Sequence, residues 1–210
     1  MFRTSDAKES VAQMMLMEAV RDATFGNCGR VSQLAKEALT LSREQANVVN
    51  AANAYAACGQ ANEAQTLVDD LTRRFTEDTL LNANWLAIIR AQSELSRGKA
   101  TEAIQLLESA RKYEVFGEFW PQYLRGQAYL KNKNGTAAAT EFKVILAHRG
   151  WYLVSPLYPL AQLGYARAAV LSGDNVGARK AYQDLFVLWQ DADATLPPLV
   201  AARAEYEKLK

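Results

Sequence analysis

The side chains able to carry metal or nucleophilic chemistry are scarce in this sequence. His148, in "LAHRGW", is the one histidine, and Cys28 and Cys58 are the two cysteines. A zinc site needs several His and Cys ligands at close spacing, and a Ser-His-Asp triad needs an imidazole oriented by a carboxylate. A lone histidine beside Arg149 reads instead as a donor or charge near a helix end. Cys28 and Cys58 lack Cys-x-x-Cys spacing and read as two free, partly buried thiols. "GNCGR" has neither the length nor the Lys-Ser/Thr of a phosphate loop. "DADAT" begins like a calcium loop but lacks its glycine, and Ala202 falls where the bidentate Glu belongs. Asp69 and Asp70 are adjacent on a helix, so they point apart and form no acid–base pair. Asn134-Gly135-Thr136 matches a glycosylation sequon, but Asn-Gly is first of all a turn signal. The expectation is a non-enzymatic chain with no metal, no cofactor and no catalytic residue.

The elements that would position any binding residue come from composition and repetition. Half of the 210 residues are hydrophobic, and 24 Lys plus Arg against 23 Asp plus Glu leave a net charge of +1. That balance gives no clustered positive field for nucleic acid or anionic lipid. The longest uncharged run, residues 150–166, carries Ser155, Pro156, Pro159 and Gln162 and falls short of the roughly 20 apolar residues of a membrane span. The N-terminus, "MFRTSDAKESVAQ", has neither the basic start nor the apolar core of a signal peptide. A cytoplasmic location is the default reading, without membrane insertion.

One pattern recurs. Gly173-Asp174 interrupts the helix-forming stretch "LGYARAAVLSGDNVGARKAYQDL", where a helical glycine costs about 1 kcal/mol relative to alanine, so two helices joined by a turn are predicted. Ala178 follows Gly173 by five residues, as Ala64 follows Gly59 and Ala103 follows Gly98. Lys133 and Ala138 keep the same relation with the glycine moved to Gly135, and Gly26 is followed by Val31. Four residues beyond each small residue stands Val68, Leu107, Phe142 or Tyr182. Three further on stands Leu71, Ala110, Ile145 or Leu185. These spacings place them on one inward helical face.

The period and pattern resemble the tetratricopeptide repeat, a helix hairpin of about 34 residues. Ala52, Tyr55, Gly59 and Ala64 carry the likeness in the second unit. Gly126, Tyr129, Ala138 and Phe142 carry it in the fourth, and Ala166, Gly173, Ala178 and Tyr182 in the fifth. Asp22 and Glu94 depart from the family's tyrosine, and Thr76 and Gly150 stand where a closing proline is usual. The resemblance implies an all-α, right-handed superhelical solenoid forming one domain over residues 1–210. Its repeats would lie at about 9–42, 44–78, 80–113, 119–150 and 157–190, with a capping helix at 197–209. Leu199, Ala202, Tyr206 and Leu209 would pack inward from that cap; Arg203, Glu205, Glu207 and Lys208 would face out.

In such solenoids the second, fifth and ninth positions of each first helix line a concave groove. Here they are Val49 and Asn53, then Trp85, Ile88 and Gln92, then Trp120, Tyr123 and Gln127, then Leu160, Leu163 and Arg167. An aromatic stripe beside a row of amides that both donate and accept would suit an extended peptide or protein segment. The tryptophans read equally well as core residues. The candidate ligand-binding residues are thus Asn53, Trp85, Gln92, Trp120, Tyr123, Gln127 and Arg167. The basic clamp for a C-terminal carboxylate is missing.

The order of segments from "FGNCGRVSQLAKEAL" to "LVAARAEYEKL" also resembles the C-terminal helical-repeat region of bacterial eukaryotic-like serine/threonine protein kinases and some winged-helix regulators. That implies a regulatory or sensory role in signalling, extracytoplasmic if the parent is a membrane kinase. With no HRD or DFG, kinase activity attaches to no residue here. The alternative is a structural module whose groove or end face self-associates into a homo-oligomer and brings attached catalytic domains together. Met14, Met15 and Met17 would sit on an N-terminal end face, and methionine surfaces adapt to partners.

Overall fold

The computed structural model describes residues 4–152 and 155–209, and these are all-helical, with no strand among them. The chain forms two compact units, Met1–Lys99 and Ala100–Lys210. The first contains α1 (Thr4–Thr24), α2 (Val31–Leu41), α3 (Gln45–Ala57), α4 (Ala61–Arg74) and α5 (Leu86–Ser96). The second contains α6 (Ala100–Leu107), α7 (Trp120–Lys131), α8 (Gly135–Ala147), α9 (Leu157–Leu171), α10 (Asn175–Leu188) and α11 (Pro197–Glu207). No helix among the described residues is long and apolar enough to cross a membrane.

The turn inferred at Gly173 closes α1, α3, α5, α7 and α9 alike. Gly26, Gly59, Gly98 and Gly173 have φ of 83°, 73°, 81° and 76°, and Lys133 takes the same left-handed conformation at 59°. In each turn that residue's N–H donates to the carbonyl three residues back, and the next N–H to the carbonyl five residues back, all at 2.8–3.1 Å. This is the Schellman arrangement, which satisfies the last carbonyls of a helix. Asp174 and Asn134 then open α10 and α8 by accepting from Gly177 N and Ala137 N. The Asn-Gly sequence is thus a helix cap, as its turn chemistry requires.

Unit 1 is built around α3, which packs against α1, α2, α4 and α5. Its sequence, QANVVNAANAYAA, is buried on nearly every side because alanine lets neighbouring helices approach closely. Ala12, Leu16, Ala19 and Ala23 of α1 bury one stripe at three- and four-residue spacing. Before α5 the chain makes a π-helical turn, Leu81–Trp85. Asp78 holds it by accepting from Leu81 N and Gln45 Nε2, each at 2.8 Å. Asn82 Nδ2 donates to the carbonyls of Phe75, Thr76 and Asp78.

Cys28 and Cys58 are not free thiols. They form a disulfide, with Cα atoms 5.6 Å apart, that joins the turn after α1 to the end of α3. The spacing of 30 residues in sequence hid the pair, because adjacency arises only once α1 and α3 lie side by side.

In unit 2, α7, α8, α9 and α10 pack in sequence, with α7 also against α9 and α11 against both α9 and α10. Phe142 on α8 is fully buried between Gly126 of α7 and Gly164 of α9. The inward face assigned to the second helices is observed: Ala64, Ala103, Ala138 and Ala178, and Val68, Leu107, Phe142 and Tyr182, are all buried.

Candidate binding surfaces

The seven candidate residues divide between the units. In unit 1, Asn53 is only 4% exposed, and its Oδ1 has no hydrogen-bond partner. It offers no accessible surface, because the alanine-rich neighbours close over it. Trp85 is half-buried and packs on the core around Val48, Leu71 and Leu86, oriented by the π turn that precedes α5. Gln92 is half-buried on α5. Val49 and Ile88, assigned to the same face, belong to the core.

Unit 2 brings three candidates together. Tyr123 is half-buried, hydrogen-bonded to Gln127 on its own helix and within electrostatic reach of Arg167 on α9. Burial pushes its hydroxyl up to about 12, although Arg167 and Gln127 pull the other way. Trp120 is 7% exposed and meets Tyr123 edge-on at 6.2 Å. It is a packing residue here, since the turn before α7 folds its indole inward. Leu160 and Leu163 are likewise buried.

Arg167 is already engaged. Its guanidinium forks onto the Glu205 carboxylate of α11, with Nη2 to Oε1 at 2.8 Å and Nε to Oε2 at 2.9 Å. The Tyr182 hydroxyl donates to Glu205 Oε2 at 2.7 Å. Glu205 therefore faces inward rather than out. Leu199 and Ala202 are buried as expected, and Tyr206 and Leu209 pack on the core of α9 and α10. Burial alone would raise the Glu205 carboxyl, but Arg167 and Tyr182 outweigh it and hold it below its ordinary value. An anion in solution would have to displace α11 to reach Arg167.

A second polar centre escaped the sequence reading. Arg125 on α7 is 1% exposed. It forks onto Glu141 of α8 with both hydrogen bonds at 2.8 Å, and its Nη1 lies 2.6 Å from Glu114 Oε1. Gln122 Nε2 donates to Glu114 Oε2 at 2.9 Å. Beside this centre opens a pocket of about 150 Å³ lined by Glu114, Phe119, Gln122, Val144, His148, Trp151 and Tyr152. His148 sits at the end of α8, as its position implies, with Nδ1 2.7 Å from Val144 O. An arginine sixteen residues from its glutamate carries no local sequence signal. The unusual feature legible there is an arginine on the inward side of α7.

Among the described residues no group of three or more His, Cys, Asp or Glu is placed to hold a metal ion. Asp70 pairs with Arg43 and Arg74, while Asp69 accepts from Gln65, so the two carboxylates point apart. Asp193 accepts from Thr195 N and Oγ1, closing a local turn. In comparisons with known proteins, no family model, no curated protein and no solved structure matches the chain.

Proposed function

We propose that this chain is a tetratricopeptide-like helical-repeat protein that binds a peptide or protein segment without catalysis. The observation carrying this reading is the convergence of Tyr123, Gln127 and Arg167 on one partly exposed face of α7 and α9. Gln127 and Arg167 hold the ninth position of successive first helices and Tyr123 the fifth of its own, and the recurring left-handed turn supports that phase. An amide and a phenol side by side both donate and accept, which suits the backbone of an extended segment. The resemblance to kinase-associated repeat regions suggests the regulatory or sensory part of a bacterial signalling protein.

The test is affinity capture from lysate of the source organism, read by mass spectrometry, with the wild-type chain and a folded Tyr123→Ala, Gln127→Ala variant. A partner captured by the wild type and lost with the variant, then reproduced with purified components, supports the reading. Equal capture by both proteins removes this face from consideration.

A second reading, self-association, is favoured by one observation. Val11, Met14 and Met17 of α1 are 48%, 71% and 57% exposed, although Met15 is half-buried against the core. Sedimentation velocity over a concentration series decides it: a mass independent of concentration removes this reading.

A further inference from the structure

The pocket beside α7 lies apart from Tyr123, Gln127 and Arg167, and its lining has a consistent chemical character. Phe119, Trp151 and Tyr152 supply its aromatic wall. Phe119 and Trp151 lie nearly parallel at 5.9 Å between centroids, with Tyr152 edge-on to Phe119 at 5.2 Å. His148 closes on Trp151 at 4.2 Å. Trp151 is 58% exposed and Val144 37% exposed, and both line the pocket, so its mouth is apolar.

Two acceptors stand in the lining, the Glu114 carboxylate and the Gln122 carbonyl oxygen. Gln122 is 5% exposed, and its Oε1 has no hydrogen-bond partner, which leaves a desolvated acceptor in the wall. His148 Nδ1 lies 2.7 Å from the Val144 carbonyl and donates to it. In the buried centre behind the wall, the two carboxylates Glu114 and Glu141 share the single Arg125 guanidinium, which leaves that cluster one net negative charge. Phe119 and the preceding Glu118 hold φ of 68° and 49°, strained values for residues with side chains, and this backbone sets the Phe119 ring in the wall.

We propose that this pocket binds an alkylammonium group, whose methyl or methylene carbons pack on Phe119, Trp151 and Tyr152 while its charge faces the acidic centre at Glu114. Aromatic faces attract cations through the ring quadrupole, most strongly when desolvated, and the uncompensated carboxylate selects against anions. The pocket, of about 150 Å³, takes a compact group such as one methylated ammonium. The group belongs to a free small cation or to a methylated lysine of a protein, and the chemistry recognised is the same.

Isothermal titration with tetramethylammonium chloride, choline and 3,3-dimethylbutanol, the neutral carbon analogue of choline, tests this. Both cations bind, and the neutral analogue binds at least about tenfold more weakly, as expected of a cation–π contribution near the upper end of its range. Trp151→Ala, at an exposed position where the fold is not at stake, weakens the cations by a similar factor. Glu114→Gln does so as well, provided its circular dichroism is native. A trimethyllysine peptide that binds at least tenfold more tightly than tetramethylammonium identifies the source as a protein side chain; equal affinity identifies a free cation. Equal binding of choline and its neutral analogue, unchanged affinity in Trp151→Ala, or no binding of any cation overturns the proposal.

Discussion

Phe142 Cζ lies 2.4 Å from where a Cβ on Gly164 would stand, and 2.6 Å from the corresponding point on Gly126. The ring occupies volume that two glycines on α7 and α9 leave empty, and it locks α8 between them. Overpacking a core costs about 1–3 kcal/mol, while replacing a helical glycine by alanine returns about 1 kcal/mol. Gly164→Ala is therefore expected to destabilise unit 2, by about 1–2 kcal/mol in urea denaturation. Adding Phe142→Leu should recover part of that loss, because the two positions share one cavity and couple. Additive effects would show that the ring relaxes elsewhere.

The same contact shows how much was legible in advance. Gly126 and Phe142 fall on the repeat pattern, so their burial was predictable from period alone. Gly164 does not, and its signal was an unexplained helix-interior glycine. The π turn at Leu81–Trp85 adds backbone that a uniform 3.6-residue count does not anticipate, so the face presented by Trp85 was not readable. Arg125–Glu141, Arg167–Glu205 and Cys28–Cys58 are set by helices that meet only in the folded chain. Helical class, turn positions and the inward face of the second helices are local properties, and these the residues announce. Which polar groups find one another is tertiary, and it turned two of the expected binding residues, Asn53 and Trp120, into core.

Lys133 holds a left-handed φ of 59° where four other turns have glycine. A side chain in that conformation costs roughly 1–2 kcal/mol, partly offset by the smaller backbone entropy of the unfolded chain. Lys133→Gly is expected to stabilise the protein by about 0.5–1 kcal/mol. Gly173→Ala, the reverse change at the next such turn, should destabilise it by more than about 1 kcal/mol. Thermal melts of both variants check the pair: a Lys133→Gly protein no more stable than wild type would mean that the turn carries no strain.

The disulfide between Cys28 and Cys58 closes a separation of 30 residues, for which loop-closure entropy gives about 3–4 kcal/mol. A Cys28→Ser, Cys58→Ser variant should lose up to that amount in guanidinium denaturation, and reductant should lower the wild type to the same midpoint. Alkylation without reductant, read by mass, should label neither cysteine in chain recovered from its native compartment. Full labelling would place the working protein in a reducing compartment, where such bridges do not persist.

Glu205 gives the fold a dependence on acid. Its carboxyl is held below the ordinary value of 4.5 by Arg167 and Tyr182 despite burial. A carboxylate with a folded-state pKa below its unfolded one contributes stability that is complete above the unfolded pKa and is lost as pH falls through the folded pKa. Both partners are about one-third exposed, 33% for Arg167 and 31% for Glu205, so solvent screens the pair and its loss should cost about 1–2 kcal/mol. Glu205→Gln should be less stable than wild type by that amount at neutral pH. Its disadvantage should shrink as pH falls from roughly 5 to 3, where the wild-type carboxylate is protonated as well. Urea denaturation of both proteins across that range measures the difference directly. A gap that stays constant with pH would show that α11 is held by Leu199, Ala202 and Tyr206 alone, with the Arg167 fork contributing nothing to its docking.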